Sequence, residues 1–287
     1  MKNYVSLRRE LPIDVSRFDG VGILKGEHSG MEGFVTSNEE LTKTKKYIKV
    51  ICHKFYPKPV WYRTNDASTG FVNQLKGFTE FDEPNRHFGL RGIRRLLINQ
   101  DEFMVEIDMI NKVREEYSNL NIFFPMVNDV EQYKQGRDLA RSFGYTGRIG
   151  IMAETPSAVL TLDEFIKEGV DYVVIGLNDL TDCMDGSSRK NTNTNHLIYR
   201  DPELKAVKKL FSQMRRAYTQ NNGNIEFVLS GDFKPEVITL LKDYKFDAIA
   251  IPYSLCKNNK EYEMIAELLT NKTDCNICKV PIKDCER

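Results

Sequence analysis

Eight short runs of β-branched and apolar residues, separated by amphipathic stretches of helical length, predict an α/β chain wound into a closed (β/α)8 barrel. The length agrees: 287 residues exceed the roughly 150 of an average domain but suit an α/β barrel folded as one unit. Most of the runs also stay apolar until their C-terminal ends and turn polar only there. In a closed barrel those ends converge on one face.

The strand candidates, in order, are 20–27, 60–66, a weak one at 87–92 (HFGLRG), 121–127, 148–154, 172–179, 225–232 and 248–254. Helix starts are legible between them. Ser37 with Glu40 and Asn128 with Glu131 have capping-box spacing, and Asp201-Pro202 is an N-cap followed by proline at the first helical position. Phe103, Ile107, Ile110 and Val113 share one helix face, as do Leu204, Val207, Leu210, Phe211 and Met214. These faces are expected to cover the barrel. The long polar stretches 67–86 and 180–200 read as βα loops suited to a substrate lid. No linker-like tract interrupts the chain, so one barrel domain is expected over 1–270, followed by a cysteine-containing tail at 271–287.

Composition narrows the function. Forty-one basic residues balance forty-one acidic ones, so no overall field favours nucleic acid or an anionic membrane, and an anion site has to be built locally. The longest apolar stretch, Tyr172 to Leu177, is far short of the ~18 residues of a membrane span, and the N-terminus lacks an apolar signal core. A cytoplasmic protein with reduced thiols is expected. A pocket for a small anion, locally positive within a neutral chain, follows.

The strand ends supply its chemistry. Glu154 and Asp179 close consecutive predicted strands, while Arg63 and Arg91 close two others. Magnesium takes one or two protein carboxylates and completes its octahedron with water and substrate oxygens. Arginine forks grip carboxylate and phosphate oxygens in pairs. Together they describe a pocket for a doubly anionic, metal-chelating substrate such as a phosphorylated or enolised 2-oxo acid.

The segments KPVWYRTND, FGLRGIRR, NIFFPMVNDVEQ, GIMAETPSAVL and YVVIGLNDLT resemble the C-terminal barrel of phosphoenolpyruvate-utilising enzymes. That family includes phosphoenolpyruvate synthase, the nearest match, as well as pyruvate phosphate dikinase and the first enzyme of the sugar phosphotransferase system. The resemblance extends from about Asp19 to about Leu269. It implies a (β/α)8 barrel of the phosphoenolpyruvate/pyruvate type with phosphotransferase activity. By the same resemblance Arg63 and Arg91 hold phosphoryl and carboxylate groups, Glu154 and Asp179 bind magnesium (manganese being the alternative), and Asn178 lies beside the phosphate. Arg189 matches a further substrate arginine, although the segment before it departs from the family pattern. Lys25 stands where an arginine is usual, which keeps the charge and loses the fork. A homodimer is implied by resemblance only.

Two departures bear on turnover. The family ends its seventh strand with Cys-Gly, whose thiol protonates the enolate, whereas this chain reads VLSGD and places Ser230 there. A thiol with a pKa near ~8.5 exchanges protons near neutrality; an alcohol does not without a strong base beside it. Three readings stay open: slowed turnover with solvent protonating a released enol, altered chemistry with Asp232 or water as proton source, or binding without catalysis. A metal-enolate lyase or aldolase uses the same kind of pocket. Second, none of His28, His53, His87 and His196 lies in the family's carrier context. Phosphoryl exchange is therefore expected to use another chain, such as a separate phosphohistidine or ATP-grasp protein, or a small molecule as its acceptor. In the tail, Cys275, Cys278 and Cys285, with Cys256, are an incomplete zinc set. Trp61, Phe123, Phe124 and Tyr172 are expected in the core, and Lys43, Lys45, Lys46 and Lys49 on a solvated helix face.

Overall fold

The computed structural model describes residues 1–29, 38–74, 83, 88–188, 205–220, 225–231 and 246–256. Eight parallel strands close in sequence order, each pairing with its neighbour and the last with the first. They are β1 (Lys2–Leu7), β2 (Gly20–Lys25), β3 (Val60–Arg63), β4 (Leu120–Phe124), β5 (Ile149–Ala153), β6 (Tyr172–Gly176), β7 (Glu226–Ser230) and β8 (Ala248–Pro252). β3 to β6 are buried at every position, as strands covered on both faces must be.

Alternation along the strands makes two cores. Val60, Tyr62, Ile122, Phe124, Ile151, Val173 and Ile175 point outward into a layer shared with the helices. Tyr4, Ile23, Trp61, Phe123, Met152, Tyr172, Val174 and Val228 point inward and plug the barrel. Trp61 stacks on Tyr172 with ring centroids 3.9 Å apart, and the Tyr172 hydroxyl donates to the Gly22 carbonyl at 2.9 Å. The expected core role of these aromatics holds.

The helices follow in order: α1 (Gly26–Ser29), α2 (Asn38–Phe55), α3 (Thr69–Val72), α4 (Ile93–Ile98), α5 (Gln100–Arg114), α6 (Val130–Ser142), α7 (Pro156–Leu160), α8 (Leu162–Lys167), α9 (Leu177–Asp185), α10 (Lys205–Gln220) and α11 (Tyr253–Cys256). On α5 the predicted face Phe103, Ile107, Ile110 and Val113 is buried; on α10 so are Leu210, Phe211 and Met214. On α2, Lys43 is exposed and pairs with Glu39 and Glu40.

Four sequence readings need correction. β1 was not anticipated. The weak strand at 87–92 does not exist: residues 88–90 form turn and bend, and Gly92 at φ +56° turns the chain into α4. A Cβ at Gly92 would lie 2.7 Å from the Pro125 carbonyl oxygen, so both conformation and space require glycine. The sixth strand stops at Gly176, which puts Asn178 and Asp179 in the first turn of α9. The N-cap of α6 is Asp129, whose carboxylate accepts from Gln132 N–H at 2.9 Å, while the Gln132 amide oxygen accepts from Asn128 N–H at 3.0 Å. That is the Asn128/Glu131 box displaced by one residue. Ser37, Asp201 and Pro202, the tail cysteines and most of both long loops lie outside the described residues.

Candidate active site

The C-terminal ends of the strands open into a cavity of about 480 Å³. Lys25 comes from the end of β2, Arg63 from the end of β3, Arg91 from the segment before α4, Asn178 and Asp179 from α9, and Ser230 from the end of β7. All six were candidates from sequence. Glu154, the residue after β5, is fully buried and does not line the cavity wall. Arg189, Asp232 and the His28 side chain lie outside the described residues.

The two arginines are already held by carboxylates. The Asp66 carboxylate accepts from Arg91 Nε at 3.0 Å and from Arg91 Nη2 at 2.6 Å, a bidentate pair. Arg91 Nη1 lies 3.7 Å from Asp179 Oδ1. Arg63 pairs through Nη2 with Glu27 and lies 3.4 Å from Asp66 Oδ2, while its Nη1 approaches Met152 Sδ at 3.7 Å. Burial works against both guanidinium charges, but these carboxylates outweigh it and hold both arginines above their ordinary pKa. Burial, then the neighbouring Arg63, brings the Lys25 ammonium down to about 8.

Among its described residues the cavity lining carries no excess of positive charge, where the sequence leads one to expect a locally positive pocket. Arg8, Lys25, Arg63 and Arg91 are matched by Glu10, Glu27, Asp66 and Asp179. Arg8 and Glu10 follow the unanticipated β1 and were missed for that reason.

Glu154 is a fully buried carboxyl. Burial, then Asp179 and Asp66, raise its pKa well above normal, with Arg63 and Arg91 opposing. Its Oε1 accepts from Met126 N–H at 2.9 Å, and Oε2 has no hydrogen-bond partner among the described residues. Met126 reaches this carboxylate from a left-handed backbone, φ +55°, an arrangement that costs energy for a non-glycine residue and clusters at functional sites. Gly176 makes room, since a Cβ there would meet Glu154 Oε2 at 2.9 Å. A buried carboxylate oxygen without a donor, electrostatically coupled to a second carboxylate, suits a hard divalent cation that draws its remaining ligands from water and substrate. Among the described residues no group of three His, Cys, Asp or Glu residues is arranged to hold a metal ion. Cys183 Sγ lies 3.9 Å from the Glu154 carbonyl oxygen, and burial first raises its thiol to about 11. Cys256 is buried with Sγ 3.5 Å from the Pro252 carbonyl oxygen.

Fold and site together define a (β/α)8 barrel that gathers arginines and paired carboxylates at the C-terminal ends of its strands. Residues 10–252 match the PEP-utilising enzyme, PEP-binding domain family, and the chain belongs to it. The chain is 32% identical over 248 residues to a probable phosphoenolpyruvate synthase of Archaeoglobus fulgidus, covering 81% of this chain and 32% of that one. It is 34% identical over 211 residues to the phosphoenolpyruvate synthase of Pyrococcus furiosus, covering 68% and 26%. Over 190 residues it is 32% identical to an Escherichia coli protein of the phosphoenolpyruvate-dependent phosphotransferase system, covering 62% and 24%. The chain thus spans about a quarter to a third of the curated relatives it matches. Among the described residues no helix is long and apolar enough to cross a membrane.

Proposed function

We propose that this cavity binds phosphoenolpyruvate, pyruvate or a similar 2-oxo acid together with magnesium or manganese, and exchanges phosphoryl with a separate phosphohistidine-bearing protein. The observation that carries the reading is the meeting of Arg63, Arg91 and Asp179 in one cavity, with Glu154 behind them, whose Oε2 has no donor among the described residues. Glu154 and Asp179 would hold the cation. When bound, it would withdraw charge from the enolate or phosphoryl oxygens. Arg63 and Arg91 would exchange part of their contact with Glu27 and Asp66 for the substrate's carboxylate and phosphoryl groups, stabilising the charge on the transferring group. Asn178 lines the same wall and offers an amide for a phosphoryl oxygen, and Arg189 would add a guanidinium. Lys25 contributes a positive charge without a fork. Ser230 sits where a thiol is usual, so protonation of the enolate carbon falls to water or to Asp232.

The test is calorimetry of the whole chain with magnesium and oxalate, followed by phosphoenolpyruvate consumption in the presence of a candidate histidine carrier. Magnesium-dependent oxalate binding and a labelled carrier are expected. Absence of both removes the proposal. Ser230 favours a second reading, a subunit that binds without turnover, for which the signature is oxalate and phosphoenolpyruvate binding with neither pyruvate nor labelled carrier. Carbon–carbon cleavage of a 2-oxo acid with no phosphate requirement would instead assign the pocket to a metal-enolate lyase. A homodimer and a cytoplasmic location complete the proposal; sedimentation and fractionation test them.

A further inference from the structure

Glu106, in the middle of α5, does not line the cavity and is 1% exposed. A carboxyl is costly to bury unless its oxygens receive donors, so the donors it receives are informative. Its Oε1 accepts from the Tyr62 hydroxyl at 2.9 Å and from Asn65 N–H at 3.0 Å. Tyr62 is in β3, and Asn65 is two residues beyond it. Between them stands Arg63; immediately after comes Asp66, which grips Arg91.

The β3 ladder continues one residue past its end, with Thr64 N–H donating to the Phe123 carbonyl at 3.1 Å. At Asn65 the main chain leaves the ladder and its N–H goes to Glu106 instead. The Asn65 side-chain oxygen then accepts from Ala67 N–H at 2.9 Å, closing a tight turn. Arg63 and Asp66 both line the cavity on either side of this departure.

We propose that Glu106 is a positioning residue: through one carboxyl oxygen it sets the turn that aims Arg63 and Asp66 into the cavity, without touching ligand itself. This rests on the reading of the cavity as an anion site. The ionisable groups that act on it most strongly among the described residues are Tyr62 from β3, Glu27 from α1 and Glu102 from its own helix. Burial first, with Glu27 and Glu102 adding to it, pushes its carboxyl up to about 8, against the two hydrogen bonds. Because Oε1 accepts in either protonation state, a glutamine can keep both bonds.

The experiment measures magnesium-oxalate affinity of the whole chain in the wild type, Glu106→Gln, Glu106→Leu and Tyr62→Phe/Glu106→Leu. Melting temperature and hydrogen exchange of the 63–67 amides are followed without ligand. Glu106→Gln is expected to bind within about threefold of wild type and to keep the Asn65 amide protected. Glu106→Leu is expected to bind roughly tenfold more weakly or worse, the order set by two lost hydrogen bonds, and to expose that amide to exchange. The double variant, which removes the stranded hydroxyl, is expected to recover melting temperature but not affinity. That split separates aiming from mere stability.

Glu106→Leu binding like wild type, or affinity returning together with stability in the double variant, overturns the proposal. If Glu106→Leu does not fold, the double variant takes its place. If the wild type itself does not bind oxalate, the anion reading fails and amide exchange alone decides: an Asn65 amide still protected in the leucine variant refutes the positioning role, and one newly exchanging supports it.

Discussion

Asp66 is the joint between the two cavity arginines, and Asp66→Ala tests that directly. The change removes both oxygens of a bidentate pair with Arg91, at 3.0 and 2.6 Å, and a 3.4 Å contact with Arg63. The side chains involved are 3%, 10% and 7% exposed for Asp66, Arg91 and Arg63, so solvent offers little replacement. Breaking a buried ion pair by removing one partner costs about 3–5 kcal/mol. Arg63 retains Glu27 and Arg91 retains its longer contact with Asp179, which favours the lower end, about 3 kcal/mol. At about 2–4 °C per kcal/mol in large domains, the melting temperature should fall by roughly 6–12 °C. Formate, small enough to occupy the vacated carboxylate position, should restore part of the loss, and Asp66→Asn, with one acceptor left, should fall in between. Thermal and urea unfolding measure all three. A variant melting within about 2 °C of wild type, with no response to formate, would show that Asp66 does not anchor these arginines.

Further expectations follow from other parts of the site. The Glu106 carboxyl is raised from 4.5 to about 8 in the folded protein, so its stabilising contribution is complete below pH 4.5 and lost as pH rises through 8. At about 1.4 kcal/mol per pH unit the loss is on the order of 5 kcal/mol, and Glu106→Gln should flatten the stability–pH curve over that window in urea titrations. Gly92→Ala forces a Cβ to within 2.7 Å of the Pro125 carbonyl at φ +56°. A loss of about 1–3 kcal/mol is expected, read as a lower melting temperature, with weaker oxalate binding because Arg91 is adjacent. Ser230→Cys supplies a group able to exchange protons near neutrality; if phosphoryl chemistry is otherwise intact, pyruvate release from phosphoenolpyruvate should rise at least ~100-fold in a coupled assay.

The barrel was legible in the sequence because buried parallel strands are uninterrupted apolar runs: IFF, IGIMA and YVVIG lie in β4, β5 and β6. The count of eight nevertheless came from two errors that cancel. β1 begins with the polar Lys2 and Asn3 and buries only its last four residues, so its run is too short to stand out at a chain end. HFGLRG supplied the false strand, since Phe88 and Leu90 look like strand residues until Gly92 turns at φ +56°. Arg63, Arg91, Asn178 and Asp179 were legible as chemistry-bearing residues at the ends of apolar runs, though Asp179 belongs to a helix. Glu106 was not: within QDEFMVEIDMINKVR it looks like one of several acidic residues of an amphipathic helix, and only the packing of α5 against the end of β3 brings it to Tyr62 and Asn65. Nor does any sequence pattern announce the left-handed backbone at Met126.

Charge balance says how such a cavity must load. Among the described residues its four cationic side chains, Arg8, Lys25, Arg63 and Arg91, face four carboxylates, Glu10, Glu27, Asp66 and Asp179, while burial, then Asp179 and Asp66, push the Glu154 carboxyl behind them well above its ordinary pKa. A doubly charged anion entering alone would therefore leave the balanced cavity with two excess negative charges and would have to part Arg63 from Glu27 without compensation. A divalent cation entering alone would meet a Glu154 carboxyl whose charged form burial and the neighbouring carboxylates disfavour. Arriving together, cation and anion would cancel each other's charge, and the cation would favour the ionised form of Glu154. Binding of the two is consequently expected to be mutually dependent, each raising the other's affinity by the same factor. Calorimetric titration of oxalate with and without magnesium, and of magnesium with and without oxalate, measures both halves of that equality, and an affinity for either ligand that the other leaves unchanged would contradict it.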